Sequence, residues 1–149
     1  MPRLATLVFA FALGSLAGCG QSPGGLESFI RNDRTMSSFR LTTFNLAKQP
    51  DGAITGTAAT EEGDTYEIQL APGKELKDFE IAPTPELAKK IIKKNVEPNS
   101  GGLFTSMELS RIEFARYTGT AQLLNGGKIG VTLSIGGRMI STGSTGPVK

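Results

Sequence analysis

The sequence predicts an α+β domain: a twisted antiparallel sheet of six to eight strands with one or two helices on a face. Three observations lead there. Short segments such as TYEIQL (65–70) and KIGVTLSI (128–135) alternate apolar and polar residues, which puts one side of each strand into a core. Turns rich in glycine and proline separate these segments at hairpin spacing. One segment, 85–96, instead has the apolar period of a helix.

In chain order, LESFIRNDR (26–34) reads as a short helix, with Leu26, Phe29 and Ile30 at helical spacing. SFRLTTFNLAK (38–48) reads as a strand. Its apolar parity shifts between Phe39/Leu41 and Phe44/Leu46, so it contains a bulge or starts late. Gln49-Pro50-Asp51-Gly52 is a turn, because proline presets φ and glycine accepts positive φ. ITGTAAT (54–60) and TYEIQL (65–70) form the next two strands around a turn at 61–64, and a short strand follows near Phe79 and Ile81. The helix at 85–96 has Thr84 as its N-cap, Pro85 at its first position and Glu86 at the positive end of its dipole. Leu87, Ala88, Ile91, Ile92 and Val96 make its apolar stripe, opposite Lys89, Lys90, Lys93 and Lys94. FTSMELSRIEFAR (104–116), YTGTAQLL (117–124), KIGVTLSI (128–135) and a short RMIS segment read as strands, and the chain from Ser141 as a disordered tail.

Thr55-Gly56-Thr57-Ala58 recurs 63 residues later as Thr118-Gly119-Thr120-Ala121. Without gaps, Gly63 then meets Gly126, Ile68 meets Val131 and Leu70 meets Leu133. Two readings stay open at this point. Either the domain is two duplicated helix-plus-meander halves, 26–82 and 83–142, or Gly- and Thr-rich hairpins resemble one another by chance. Glycine inside a strand (Gly56, Gly119) marks a bulge or a close approach of backbones.

The N-terminal segment is of another kind. After Arg3, Leu4 to Leu13 carries no charge. As a helix it would be about 15 Å long, half of the roughly 30 Å a bilayer span requires. That length suits the apolar core of a signal peptide. It ends in Leu16-Ala17-Gly18-Cys19, which resembles the lipobox of bacterial lipoproteins, a branched apolar residue and two small residues before a cysteine. The resemblance implies removal of residues 1–18, a thioether-linked diacylglycerol on Cys19 and acylation of the new α-amine. It covers about the first 20 residues of the chain. Gly20 is not the aspartate that retains proteobacterial lipoproteins at the inner membrane, so in a cell with two membranes the pattern implies the outer one. The alternative is an ordinary secretory signal that contains a cysteine. Cys19 is the sole cysteine of 149 residues, however, and an unpaired thiol in an oxidising compartment calls for a use. Lipidation supplies one. Residues 19–25 then read as the lipidated cysteine and a flexible tether, 26–142 as one domain, and 143–149 as the tail.

Composition narrows the function. The mature chain keeps 15 of the 16 basic residues, since Arg3 leaves with the signal, against 14 acidic ones. A net charge near +1, with no interleaving of aromatic and basic residues, argues against nucleic acid. Histidine is absent, which removes the commonest general base at neutral pH and, with the one cysteine committed to lipid, the soft-metal sites. No cofactor motif is present. Glu61, Glu62 and Asp64, with Asp51, could form a weak calcium site, but they lack the spacing of a calcium loop and read better as solvated turn residues. A glycosidase-like carboxylate pair could be drawn from Glu67, Glu108 and Glu113, which are more simply the outer residues of strands. The four lysines of the 85–96 helix are a contact for anionic headgroups or polyanions on one reading, and a solvated face on the other. The expectation is a non-catalytic binding domain held in the cell envelope by lipid on Cys19, its partner an envelope protein. The alternative is a carrier of a lipid or other apolar ligand. An enzyme comes third.

Overall fold

The computed structural model describes residues 21–147. The lipobox residues Leu16, Ala17, Gly18 and Cys19 lie outside them. Among the described residues the chain forms helix α1 (Pro23–Asn32) and then strands β1 (Leu41–Lys48), β2 (Ile54–Thr60), β3 (Thr65–Leu70) and β4 (Glu80–Pro83). Helix α2 (Pro85–Val96) and strands β5 (Phe104–Glu113), β6 (Arg116–Leu123), β7 (Lys128–Gly136) and β8 (Met139–Pro147) follow. The fold is α+β, with eight strands. They make two antiparallel four-stranded meanders, β1-β2-β3-β4 and β5-β6-β7-β8, rather than the single sheet the sequence suggested. The break falls where α2 interrupts the succession of hairpins: β4 ends at Pro83, and the helix starts two residues later.

Local chemistry explains the helix ends. The Ser22 hydroxyl accepts from the Gly25 N–H at 3.0 Å, and Pro23 occupies the first turn, where its missing N–H costs nothing. The expected tether of 19–25 is therefore shorter, because Pro23, Gly24 and Gly25 belong to α1. Asp33 leaves the helix in an extended conformation, and its carboxylate accepts from the Thr35 N–H at 2.8 Å. That bond starts a 3₁₀ segment, Arg34–Phe39, which closes with Arg40 in the left-handed region (φ 51°). The strand expected over 38–48 thus starts late, at Leu41, and also carries the bulge, between Leu41 and Thr43. Thr84 caps α2 by accepting from the Leu87 N–H at 3.4 Å.

Each sheet has its own core. Leu26 and Ile30 of α1, with Met36 and Phe39, bury against Ile54, Ala58, Tyr66, Ile68 and Leu70 of the first sheet. Ala88, Ile92 and Val96 of α2 bury against Tyr117, Ala121, Leu123, Val131 and Leu133 of the second. At about 1.5–3 kcal/mol per large apolar side chain, these two layers dominate the stability. Ile91 and Ile140 touch both cores and join them.

The two meanders pair in the same register. Gly56 faces Leu46 and Ile68, and Gly119 faces Leu109 and Val131. The turns match as well: the Thr60 N–H donates to Asp64 O, and the Leu123 N–H donates to Gly127 O. Every pair is offset by 63 residues. At both glycines the neighbouring strand approaches closely, so a Cβ would sit 2.0 Å from Asn45 O at one and 1.9 Å from Glu108 O at the other. The segment expected to be a tail, 143–149, is a strand as far as Pro147: β8 runs antiparallel to β7 from Met139 to Pro147. Its small residues (Thr142, Gly143, Ser144, Thr145) lack an apolar period, which is why the pattern of residues did not mark it.

Candidate interaction surface

Two arginines and a tyrosine connect the halves and fix what is left exposed. Tyr117, fully buried on β6, donates its hydroxyl to Pro83 O of β4 at 2.7 Å. Arg111 of β5 donates to the same carbonyl at 3.2 Å and to the Tyr117 hydroxyl, and stands 2.5 Å from Glu67 Oε2 of β3. That last contact is ionic and poorly aligned, since Glu67 Oε2 is buried without a hydrogen bond of good geometry. Burial lowers the guanidinium pKa of Arg111, but the bonds to Glu67 and Tyr117 outweigh it and hold the group above its usual value. Arg138, in the β7–β8 turn with φ 63°, lies 3.7 Å over the Phe79 ring and donates to Phe79 O at 2.5 Å and Lys77 O at 2.7 Å. Sequence reading did not single out these arginines. Gly136-Gly137 signals the turn, but the left-handed conformation of Arg138 had no residue-type signal, because arginine is not a residue that prefers positive φ.

Contacts of this kind reach single carbonyls at the edges of the first sheet. On β1, Arg31 of α1 donates to Thr42 O at 2.9 Å and covers the Phe44 ring at 4.6 Å. At β4, the carbonyl of Phe79, just before the strand, receives Arg138, and that of Pro83, at its end, receives Tyr117. Strand β5 is the longest edge strand. It is ten residues long and pairs only with β6, with register shifts confined to its ends, at Phe104/Ser106 and Arg111/Glu113. Its middle presents a regular row of backbone N–H and C=O groups on the outer side. Exposed apolar residues bracket it: Ile112 at one end and Leu103 at the other, where the Leu124 N–H donates to Leu103 O at 2.8 Å. Leu103 and Leu124 are 61% and 70% exposed, side by side. Sequence carried a signal for them, since Leu103-Phe104 and Leu123-Leu124 are consecutive apolar residues in strands that otherwise alternate, so one of each pair must face outward.

The lysines of α2 lie beside this edge. A groove of about 200 Å³ between helix and strand is lined by Lys89, Lys90, Lys93 and the segment Phe104–Met107. The four lysines are not equivalent. Lys90 donates to Asp64 Oδ1 at 2.6 Å, and that bond raises its pKa. Lys93 lies 4.0 Å from Glu97, whose carboxylate also accepts from the Phe104 N–H at 2.7 Å. Lys89 and Lys94 have no ion pair among the described residues, so they carry most of the face's unbalanced charge.

The acidic residues are placed differently from a cation site. Asp64 is engaged by Lys90, and Glu61 and Glu62 line an open groove of about 460 Å³ with Phe39, Arg40 and Tyr66. Among the described residues no three acidic side chains converge as metal ligands would. Of the carboxylates considered as a pair, Glu67 meets Arg111, Glu113 lies 3.6 Å from Arg116, and Glu108 faces Thr120 on the outer side of the second sheet. No helix among the described residues is long and apolar enough to cross a membrane. No family model matches the chain, and neither the curated proteins nor the solved structures give a significant match.

Proposed function

We propose that this chain is an exported lipoprotein, anchored through lipid on Cys19, whose domain binds an extended, acidic segment of an envelope protein along β5 without catalysing a reaction. The observation that carries the binding reading is the open β5 edge, regular over Ser106–Arg111, bracketed by exposed leucines and Ile112 and flanked by the α2 lysines. An extended peptide can satisfy such an edge by adding a strand, while side-chain contacts on either side select the sequence. Lys89 and Lys93, which line the groove beside Phe104–Met107, favour a segment with carboxylates. The anchor reading rests on the Leu16–Cys19 motif. In a cell with two membranes the outer membrane is the favoured site. A carrier of apolar ligands would need the apolar sheet faces free, and α1 and α2 occupy them.

We also infer that the halves arose by duplication of a helix-plus-meander unit. A shared 63-residue offset in pairing, turns and closely approached glycines supports this better than chance resemblance of hairpins.

The binding reading is tested by a photo-crosslinking side chain placed at Ser106 and, separately, at Asn45 on β1, in native envelopes. A discrete adduct at Ser106, lost in a Lys89→Glu/Lys93→Glu variant and not formed from Asn45, is expected. Equal adducts from both edges, or an adduct indifferent to the charge reversal, would overturn it. For the anchor, Cys19→Ser should abolish both signal cleavage and membrane fractionation.

A further inference from the structure

The point where the chain enters the fold limits how the domain sits. Gln21 donates its side-chain amide to Lys74 O in the β3–β4 turn, Ser22 caps α1, and Pro23 is already helical. From Cys19 to Gln21 is two residues, a span of about 7 Å at full extension. The β1–β2 turn lies alongside, since a Cβ on Gly52 would stand 3.8 Å from Pro72 Cβ. Pro50 and Asp51, and the run Ala71–Glu75, are exposed. Lys48 and Lys74 at this end of the first sheet take part in no ion pair among the described residues, and Asp51 and Glu75 lie in the same two turns, so the end carries charges of both signs.

We propose that the end of the first sheet formed by turns 49–53 and 71–75 rests against the headgroups of the bilayer that holds Cys19. This rests on the lipid-anchor reading and adds an orientation to it. The occupant follows from the length of chain between Gln21 and the lipid, because a tether this short cannot carry that end beyond the headgroup layer. It also sets the other end of the molecule. Arg138 ties the β7–β8 turn to Lys77, and the Leu103–Leu124 tip lies at the far end of β7. At about 3.3 Å per residue the nine residues of β7 separate them by roughly 30 Å. The leucine tip is therefore not the membrane contact, despite being the more apolar surface.

Since Cys19 is the one cysteine and its thiol is consumed by the lipid, a cysteine introduced elsewhere is the one thiol available to a dye. Full-length lipidated protein would be labelled at Lys74→Cys, Asp51→Cys or Leu124→Cys and bound to phosphatidylcholine vesicles with and without a headgroup-attached quencher. Fluorescence should be lost at Lys74 and Asp51 and retained at Leu124. A Gly-Ser insertion of about ten residues, between Gly20 and Gln21, should restore fluorescence at Lys74 by letting the domain move away. Protein that floats with vesicles yet shows equal quenching at Lys74 and Leu124, or quenching at Lys74 indifferent to the insertion, would overturn the orientation and leave the anchor reading intact. Protein of unlipidated mass that does not float would overturn both.

Discussion

The two halves share a blueprint and differ at their edges. In the first, side chains reach the edges of the sheet: Arg31 bonds Thr42 O on β1, Arg138 bonds Phe79 O just before β4, and Tyr117 bonds Pro83 O at its end. In the second, β5 is ten residues long where its counterpart β1 has eight, and its outer side is open between two bulges. Stability needs the cores, which the halves have in like measure. Recognition needs exposed surface, and the exposed large apolar side chains, Leu103, Ile112, Leu124 and Met139, all lie in the second half. On the proposed reading the first half is scaffold and the second half binds, although a single pattern of residues builds both.

The sharpest way to break this comparison is in the cores. Leu70 and Leu133 hold equivalent positions and are both fully buried. Truncating either to alanine should cost about 2–5 kcal/mol. Because Ile91, Ile140 and the arginine contacts couple the halves, each variant should still unfold in one transition in urea, followed by circular dichroism. Two transitions in Leu133→Ala would show that the halves are independent.

A smaller effect is expected at the matched glycines. Gly56→Ala and Gly119→Ala each place a Cβ about 2 Å from a backbone oxygen of the neighbouring strand, and overpacking of this kind costs about 1–3 kcal/mol. Denaturation curves should shift by similar amounts for the two. A shift in only one would mean that the likeness stops at the register.

Tyr117→Phe should cost less, about 1–2 kcal/mol, by removing the shorter of the two hydrogen bonds to Pro83 O and the hydroxyl to which Arg111 donates. A pH dependence accompanies it. Burial raises the pKa of Tyr66, with the charge of Asp64 adding to it, and raises that of Tyr117 against the opposing pull of Arg111. The unfolded chain therefore releases these protons first, near the ordinary phenol value of 10.0. Stability should fall as pH rises above that point, since the folded state then binds more protons than the unfolded one. These are the two tyrosines of the chain, and tryptophan is absent, so phenolate absorbance reports them without interference. Ionisation should coincide with unfolding.

The smallest effect should come from Lys90→Ala, which removes an exposed ion pair with Asp64. Denaturation should barely change. At high salt even that change should disappear.

Much of the fold was legible in the residues. Alternation placed β3, flanking turns placed β2, and a helical apolar period placed α2, each at its observed limits, with Thr84-Pro85 marking the start of α2. Alternation reports burial on one face and is silent where neither face is strongly apolar, which is why β8 was read only at its start, in the RMIS segment. Division into two sheets was not legible, because strand pairing across α2 depends on which hairpins meet in space. The lysines were visible as a face, but their inequality was not: Asp64 neutralises Lys90 from 26 residues away. The open edge was hidden for a related reason. Whether a strand is an edge is a property of the sheet, and only the doubled apolar residues at 103–104 and 123–124 hinted at an outward surface there.

The most direct test of the division of labour is amide hydrogen exchange on the lipidated protein, compared in native envelopes and after extraction and purification. Partner binding along β5 predicts that amides in Ser106–Arg111 exchange more slowly in the envelope than in the purified protein, while those of β1 are unchanged. Equal protection of β1 and β5 in both settings, or a gain confined to β1, would contradict it.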